Sequence, residues 1–189
     1  MNNQFDIRAI LADHPVVPVV NITDVKHVDE IIQSLIAKDI HCIEITLRSE
    51  AAMDAIARAI KIAPRDFKVG VGTVVSPQQV RDCARLRADF LVSPGLSERL
   101  QVAFESAHIP FLPGVMTPSE IITAGSYGYD TLKLFPFNLA GGIKALKTYG
   151  NVFPNVKFCP TGGLNADNYQ EAADLPNVIC VGGSWVLNP

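Results

Sequence analysis

The sequence has no strong excess of either charge and no long hydrophobic run. Sixteen Lys and Arg residues stand against nineteen Asp and Glu, which gives a net charge of −3 over 189 residues. Nucleic acids and anionic membranes bind concentrated basic surfaces, so neither is expected as a partner. Apolar runs such as Val16–Val20 are far too short to cross a bilayer. The first six residues also lack the basic-then-apolar order of a secretion signal.

Clustered metal ligands and paired cysteines are missing as well. No Cys-x-x-Cys, His-x-His or His-Glu-x-x-His spacing occurs, so the sequence predicts no metal site and no other cofactor. The dispersed cysteines are predicted to be reduced, packed thiols of a cytoplasmic protein. They are Cys42, Cys83, Cys159 and Cys180.

What is present is a large apolar fraction arranged in a regular alternation. Apolar residues make up 48% of the chain and charged residues 19%, which predicts one folded domain over residues 1–189. Short apolar runs alternate eight times with amphipathic stretches, for example Asp24–Lys38, Glu50–Ile62 and Glu98–Ala107. The predicted strands are Val16–Val20, Cys42–Leu47, Val69–Val74, Phe90–Ser93, Ile109–Pro113, Thr131–Phe135, Val156–Pro160 and Val178–Val181.

Strand–helix alternation of this kind predicts a parallel sheet, because helical crossovers are needed to join parallel strands. Eight units favour an α/β fold of the (β/α)₈ barrel type. The rival, an open doubly wound sheet, usually has a glycine-rich turn after its first strand, and here Asn21-Ile22-Thr23 follows. Ser76-Pro77 and Thr117-Pro118, each with Gln or Glu three residues after the hydroxyl, predict helix starts with capping boxes.

The eighth predicted strand ends at Val181, which leaves no room before Pro189 for an eighth covering helix. The outer faces of the last and first strands would then be open to water. We expect that Asn3–Leu11 or a partner subunit covers them, or that the natural chain is longer.

Charged residues fall on the inward face of two predicted strands. In the second strand Ile43, Ile45 and Leu47 share the face that packs under helices. Glu44 and Arg48 then point into the barrel, where they form either an internal ion pair or a ligand site.

In the sixth strand Leu132 and Leu134 face the helices, and Lys133 and Phe135 face inward. Burial removes the hydration of an ammonium group and so favours the neutral amine, which attacks carbonyl carbons to form Schiff bases. The position is compatible with such a nucleophile and also with a structural partner for Glu44.

Further polar groups follow the strands at the end where barrel active sites assemble. Thr73 and Thr161 end the third and seventh strands. Two glycine pairs follow the seventh and eighth strands, Gly162-Gly163 and Gly182-Gly183. Such turns either serve only as tight turns or bind phosphate through backbone N–H groups.

Taken together, these motifs resemble those of the 2-keto-3-deoxy-6-phosphogluconate (KDPG) aldolases, some of which also cleave 4-hydroxy-2-oxoglutarate (KHG). The resemblance runs from about Val16 to Trp185 with motif order and spacing kept. The motifs are Glu44-Ile-Thr-Leu-Arg48, Gly70-Val-Gly-Thr73-Val, Ser93-Pro94-Gly95, Lys133-Leu-Phe135-Pro136, Pro160-Thr161-Gly162-Gly163 and Gly182-Gly183-Ser184-Trp185. One segment, Phe137–Ala140, differs from the Ala-Glu-rich version common in relatives.

The resemblance implies a class I aldolase, usually a homotrimer, that cleaves KDPG to pyruvate and glyceraldehyde 3-phosphate. It implies Lys133 as the Schiff-base lysine and Glu44 as the general acid and base. The substrate-binding residues that it implies are Arg48 and Thr73 for the carboxylate, Pro94, Phe135 beside the imine, Thr161 near a hydroxyl, and Gly162, Gly163, Gly183 and Ser184 for the phosphate.

Three alternatives stay open. The first keeps the chemistry and changes the substrate to KHG or to the phosphogalactonate epimer. The second is a phosphate-binding barrel isomerase or decarboxylase that forms no Schiff base. The third is a binding barrel without turnover.

Overall fold

Parallel strands and helices alternate along residues 4–187, which are the residues that the computed structural model describes. The strands are β1 (Val16–Val20), β2 (Cys42–Thr46), β3 (Lys68–Gly72), β4 (Phe90–Val92), β5 (Phe111–Leu112), β6 (Gly114–Val115), β7 (Thr131–Leu134), β8 (Lys157–Pro160) and β9 (Val181–Gly183). The helices are α1 (Gln4–Ala12), α2 (Val28–Ala37), α3 (Ala52–Ile62), α4 (Pro77–Leu86), α5 (Glu98–Ala107), α6 (Pro118–Ser126), α7 (Gly142–Val152) and α8 (Tyr169–Ala173).

The strands close into a barrel. One parallel sheet has the order β5-β4-β3-β2-β1-β9, and a second has the order β6-β7-β8. Between β5 and β6 the chain runs through Pro113, whose carbonyl accepts a hydrogen bond from Lys133 N at 2.9 Å. On the other side Phe158 bridges Val178 and Thr161 bridges Gly182. The predicted (β/α)₈ barrel is therefore confirmed.

The second, fourth and sixth predicted strands end one residue early and the seventh begins one residue late, whereas three predictions need larger corrections. The fifth strand is split into β5 and β6 because Pro113 has no N–H to donate to the ladder. The third ends at Gly72 because Thr73 takes a left-handed φ of 61°. The eighth strand lies at Val181–Gly183, and Val178 forms only an isolated bridge.

The helices confirm the predicted starts where a cap is present. Both capping boxes form, at Ser76 with Gln79 and at Thr117 with Glu120. The predicted helix Asp24–Lys38 is a 3-10 turn over Val25–His27 followed by α2, and α3 starts at Ala52 rather than at Glu50.

The N-terminal helix closes the bottom of the barrel. Its Ile7 and Leu11 are buried in one cluster with strand residues that point into the barrel, such as Val17 and Phe90. Arg8 forms an ion pair with Asp130 at 3.0 Å. Of the three alternatives given for the outer faces of the end strands, coverage by Asn3–Leu11 is therefore wrong for α1, and Asn3 lies outside the described residues. Burial of Ile7 and Leu11 against the inward-facing apolar side chains removes apolar surface from water, which favours this position of α1.

Residues 185–187, which follow β9, pack on the outer side of β9 and β1. Trp185 stacks on Tyr169 of α8 with ring centroids 5.4 Å apart. Lys38 Nζ donates to the carbonyl of Val186 at 2.7 Å. The strands and the surrounding helices share one apolar cluster, here called the outer cluster, which includes Ile43, Leu132 and Val181. Residues 185–187 pack against this outer cluster, as Val16 does. Within residues 4–187, none of the helices has the length and apolar character needed to span a bilayer.

Candidate active site

An ion pair between Lys133 and Glu44 lies inside the barrel. Lys133 Nζ is 3.0 Å from Glu44 Oε1 and 3.3 Å from Oε2. The two residues are only 5% and 3% exposed. As predicted, Ile43, Ile45, Leu132 and Leu134 face the helices and are buried there. The alternation of strand side chains therefore directs both charged groups inward.

Space for the carboxylate comes from a glycine on the neighbouring strand. Gly72 of β3 is paired with Thr46 of β2. A Cβ atom at Gly72 would lie 2.0 Å from Glu44 Oε1 and 2.7 Å from its Cδ. The missing side chain at Gly72 is thus what lets Glu44 lie beside Lys133.

Three cysteine thiols lie inside the barrel beneath the ion pair. Cys42, Cys159 and Cys180 are buried there as free thiols. A hydrogen bond from Cys180, aided by the positive charge of Lys133, lowers the pKa of Cys159 against the effect of burial. Burial raises the pKa of Cys180 well above its usual value. Lys133 and Glu44 therefore balance each other's charge above a layer of weak hydrogen-bonding groups.

Arg48 departs from its predicted place inside the barrel. Strand β2 ends at Thr46, and Arg48 lies beyond the strand with an exposed side chain. Its Nε donates to Thr46 Oγ1 at 3.1 Å, and that hydroxyl donates to the carbonyl of Val20 at 3.2 Å. The correction has a local cause, because alternation holds only within the strand. The guanidinium stands at the mouth above Glu44, and Glu44 pairs with Lys133 rather than with Arg48.

Thr73 and Pro94 also follow strand ends at this mouth. Thr73 comes directly after β3 with φ at 61°, a conformation that a β-branched residue rarely adopts. Pro94 follows β4, and both residues are partly buried. They thus lie on the rim of the barrel end toward which Glu44 and Lys133 point.

Phe135 directly follows the lysine strand β7, and Thr161 directly follows the neighbouring strand β8. The ring centroid of Phe135 is 5.5 Å from Lys133 Nζ. Thr161 is buried, and its Oγ1 donates to the carbonyl of Cys159 at 3.4 Å. A Cβ atom on Gly162 would meet the Phe135 ring at 3.5 Å. Phe135, Thr161 and Gly162 are thus brought to the Lys133 side of the mouth.

The two glycine pairs differ in their structure and environment. Gly162-Gly163 forms a turn after β8, whereas Gly182-Gly183, which was predicted to form a turn, lies within strand β9. Gly162 and Gly163 have φ angles of 98° and 85°. Within the described part of the chain, no acceptor meets the N–H of either residue. Gly183 is buried under the Trp185 ring, and Ser184 is exposed. Successive free N–H groups in such a turn form a concavity suited to an anion.

Some residues of this site were not singled out from the sequence for a role. Thr46 connects Arg48 to the β1 backbone, and its place after Glu44 in the alternation was the available signal. Gly72 admits the Glu44 carboxylate, and a glycine inside a strand often marks such a close approach. Asn138 lies against Gly163, which no local pattern indicates.

The arrangement supplies the elements of carbonyl chemistry in one place. A buried lysine adjoins a carboxylate, which is a group suited to exchange a proton with an amine. A guanidinium at the mouth offers a planar fork for a carboxylate, and the Gly162–Gly163 turn offers N–H donors for a second anion. These groups suit a keto acid that carries two anionic groups and places its carbonyl carbon at Lys133.

Comparisons with known proteins agree with this geometry. The sequence model of the family described as KDPG and KHG aldolase matches residues 7–189. The KHG/KDPG aldolase of Escherichia coli K12 is 40% identical over 180 residues, which cover 95% of this chain and 84% of that protein.

Two solved structures superpose closely. The KDPG aldolase of Legionella pneumophila, with pyruvate captured as a covalent carbinolamine intermediate, is 42% identical with a TM-score of 0.93, over 96% of this chain and 88% of that one. The KDPG aldolase of Zymomonas mobilis ZM4 with 3-phosphoglycerate is 33% identical with a TM-score of 0.92, over 96% and 86%.

Proposed function

Since this chain belongs to the KDPG and KHG aldolase family, we propose that it is a class I aldolase that cleaves KDPG to pyruvate and glyceraldehyde 3-phosphate, with Lys133 as its nucleophile. The observation that carries the proposal is the buried contact of 3.0 Å between Lys133 Nζ and Glu44 Oε1. A relative of 42% identity has been captured with pyruvate as a covalent carbinolamine, which supports attack by an amine.

Proton transfer within the pair prepares the nucleophile. When the Lys133 ammonium gives a proton to Glu44, a neutral amine faces a neutral carboxylic acid. The amine then attacks the C2 ketone of the substrate, and the new C–N bond forms as the carbonyl oxygen gains a proton. Loss of that oxygen as water gives a protonated imine.

The protonated imine accepts electrons from the C3–C4 bond. Glu44, as a carboxylate, takes the proton from the C4 hydroxyl while this bond breaks, directly or through one water. Glyceraldehyde 3-phosphate leaves, and the enamine that remains is protonated at C3. Addition of water to the resulting imine then releases pyruvate and restores the amine.

The remaining residues hold the two ends of the substrate. Arg48 and Thr73 bind the carboxylate at the mouth, with Pro94 on the same rim, and Phe135 packs beside the imine. Thr161 lies near the C4 hydroxyl. The Gly162–Gly163 turn, together with Gly183 at the end of β9 and Ser184 after it, binds the phosphate. The N–H groups of Gly162 and Gly163, which have no acceptor among the described residues, support this assignment.

KHG is a second candidate substrate, because the Escherichia coli relative is named for both substrates. KHG presents the same 2-keto-4-hydroxy unit to Lys133 and Glu44. The family resemblance supports a homotrimer. The four buried free thiols support a reducing compartment, so the proposal places the enzyme in the cytoplasm.

Borohydride reduction in the presence of pyruvate tests the nucleophile. We expect the reduced adduct on the peptide that contains Lys133, found by peptide mass mapping, and none in Lys133→Ala. Lys157→Ala is the matched control, because Lys157 also lies on a barrel strand but is placed at its opposite end, where Nζ donates to Pro176 O. The adduct on another lysine, or on none, would overturn the assignment. Absence of any adduct would instead favour a barrel isomerase or decarboxylase that needs no imine.

A further inference from the structure

Backbone hydrogen bonds join the loop after β7, at Phe137 and Asn138, to the glycine turn after β8. Phe137 N donates to the carbonyl of Thr161 at 2.8 Å, and Asn138 N donates to the carbonyl of Gly162 at 3.1 Å. Phe137 is buried in the outer cluster, which anchors the loop. These two bonds continue the pairing of β7 with β8 beyond the strand ends. The position of Asn138 over the turn is therefore set by backbone contacts and not by its own side chain.

The side chain of Asn138 lies directly against Gly163. A Cβ atom at Gly163 would be 2.6 Å from Asn138 Cβ and 3.0 Å from its Nδ2. Asn138 and Gly163 are both exposed, so a ligand at the mouth can reach them.

The orientation of the amide follows from its hydrogen bond. Asn138 Oδ1 accepts from Leu139 N at 3.0 Å. The opposite orientation would set two donors against each other, so Nδ2 is the free end. Among the described residues no acceptor meets Nδ2.

Both carbonyls of the turn accept hydrogen bonds from other donors. Gly162 O accepts from Asn138 N, and Gly163 O accepts from Asn168 Nδ2 at 3.2 Å. The free N–H groups of Gly162 and Gly163 thus stand without competing acceptors near Asn138 Nδ2. A neutral side-chain donor joins a set of backbone donors at the same place.

We propose that Asn138 Nδ2 is a further ligand of the distal phosphate of the substrate and that it selects phosphorylated over unphosphorylated 2-keto-3-deoxy acids. The inference rests on the proposed function, because KDPG, the proposed substrate, is the molecule whose distal phosphate would reach this turn. It adds to the backbone donors a side chain that can be substituted without changing the turn.

Two substrates that differ only in the phosphate test the proposal. The probes are KDPG and 2-keto-3-deoxygluconate, with kcat/KM measured for each, and inorganic phosphate as an inhibitor. For Asn138→Ala we expect kcat/KM for KDPG to fall roughly 10- to 100-fold, the usual effect of losing a hydrogen bond to a charged group. The value for the unphosphorylated acid is expected to stay unchanged, and the inhibition constant of phosphate to rise.

Two more variants sharpen the result. Asn138→Asp should lower kcat/KM for KDPG further, because a carboxylate repels the phosphate. Leu139→Ala is the matched control on the same loop. Leu139 is 70% exposed, and its backbone N, which bonds Asn138, is retained. We expect this control to behave as the parent protein with both substrates and with phosphate.

The outcomes separate the inference from the proposed function. Equal losses for both substrates in Asn138→Ala would show that the amide only supports the loop, and no loss for KDPG would show that it is no ligand; either result overturns the inference alone. If the parent protein neither cleaves KDPG nor forms the borohydride adduct with pyruvate, the proposed function fails, and the inference fails with it.

Discussion

At the scale of single residues, the site depends on the side chains of Lys133 and Glu44 and on the absence of a side chain at Gly72. An isolated buried charge is costly, and Lys133 and Glu44 lessen that cost only because each is the other's partner. Gly72 is as important as either, because any side chain there would occupy the place of the carboxylate. A position without a side chain therefore decides whether the Glu44 carboxylate can lie beside Lys133.

Gly72→Ala should separate the carboxylate from the amine. The added Cβ would stand 2.0 Å from Glu44 Oε1, so Glu44 must turn away from Lys133. We expect kcat to fall roughly 10²- to 10⁴-fold, the usual contribution of a proton-transfer group. Steady-state cleavage of KDPG, with the melting temperature measured in parallel, checks this.

Gly125→Ala is the control for this substitution. Gly125 lies in α6, and a Cβ atom there would have no heavy atom within 4 Å. Its turnover should match that of the parent protein. Parent-like turnover in Gly72→Ala as well would show that cleavage does not require the carboxylate to lie beside Lys133.

At the scale of elements, helices α4 and α6 both begin with a capping box, but one box uses a glutamine and the other a glutamate. At α4, Gln79 Oε1 accepts from Val75 N and Ser76 N; at α6, Glu120 Oε2 accepts from Met116 N and Thr117 N. Partial burial raises the pKa of Glu120, but the hydrogen bonds from residues 116 and 117 outweigh it and leave the pKa below its usual 4.5. One capping box is thus neutral and the other is charged.

Glu120→Gln should remove a pH-dependent part of the stability and keep the box. A carboxyl whose pKa is lowered by folding stabilises the protein above its unfolded value of 4.5, and the effect is lost as the pH falls through the folded pKa. We expect the variant to be less stable at pH 7 by at most about 1 kcal/mol, because solvent screens an exposed carboxylate at a helix start. Urea unfolding at several pH values measures the difference.

The reciprocal change, Gln79→Glu, provides the comparison. It should add stability above the carboxyl pKa and none below it, since the geometry of the two boxes is alike. A constant gap between Glu120→Gln and the parent protein from neutral to acidic pH would contradict the role of the charge.

At the scale of the whole molecule, the two ends of the barrel differ: helix α1 closes one end, the floor, and the rim residues lie at the other end, the mouth. Helix α1 fills the floor with Ile7 and Leu11, against inward-facing residues such as Phe90. The ion pair lies above this layer, and the rim residues surround the mouth. The buried apolar side chains of the floor thus separate Lys133 from solvent on the side of α1.

Leu11→Ala should destabilise the whole barrel. Leu11 is 1% exposed, and truncation of a fully buried leucine costs roughly 2–5 kcal/mol through lost contacts and a cavity. The free energy of unfolding in urea measures this. Leu139→Ala, at an exposed position, should change it by less than about 0.5 kcal/mol. Equal effects of the two substitutions would mean that α1 does not contribute to the core.

Much of this organisation was predictable because it depends on neighbours along the chain. The eightfold alternation of strands and helices indicated the barrel class. The alternation of apolar and polar residues within two strands indicated the inward direction of Glu44 and Lys133, since strand side chains point to opposite faces in turn. The capping boxes at Ser76 and Thr117 were predictable for the same reason, because every partner lies within four residues.

Only the tertiary structure decided the rest. Lys133 and Glu44 are 89 residues apart, and their contact depends on the registers of several strands. The strand end at Thr46 put Arg48 on the rim, and closure of the ring sent α1 to the floor. Asn138 met Gly163 because two backbone hydrogen bonds joined distant loops. Local patterns determine which way a side chain points, whereas the distance between two such side chains depends on how the strands register and close.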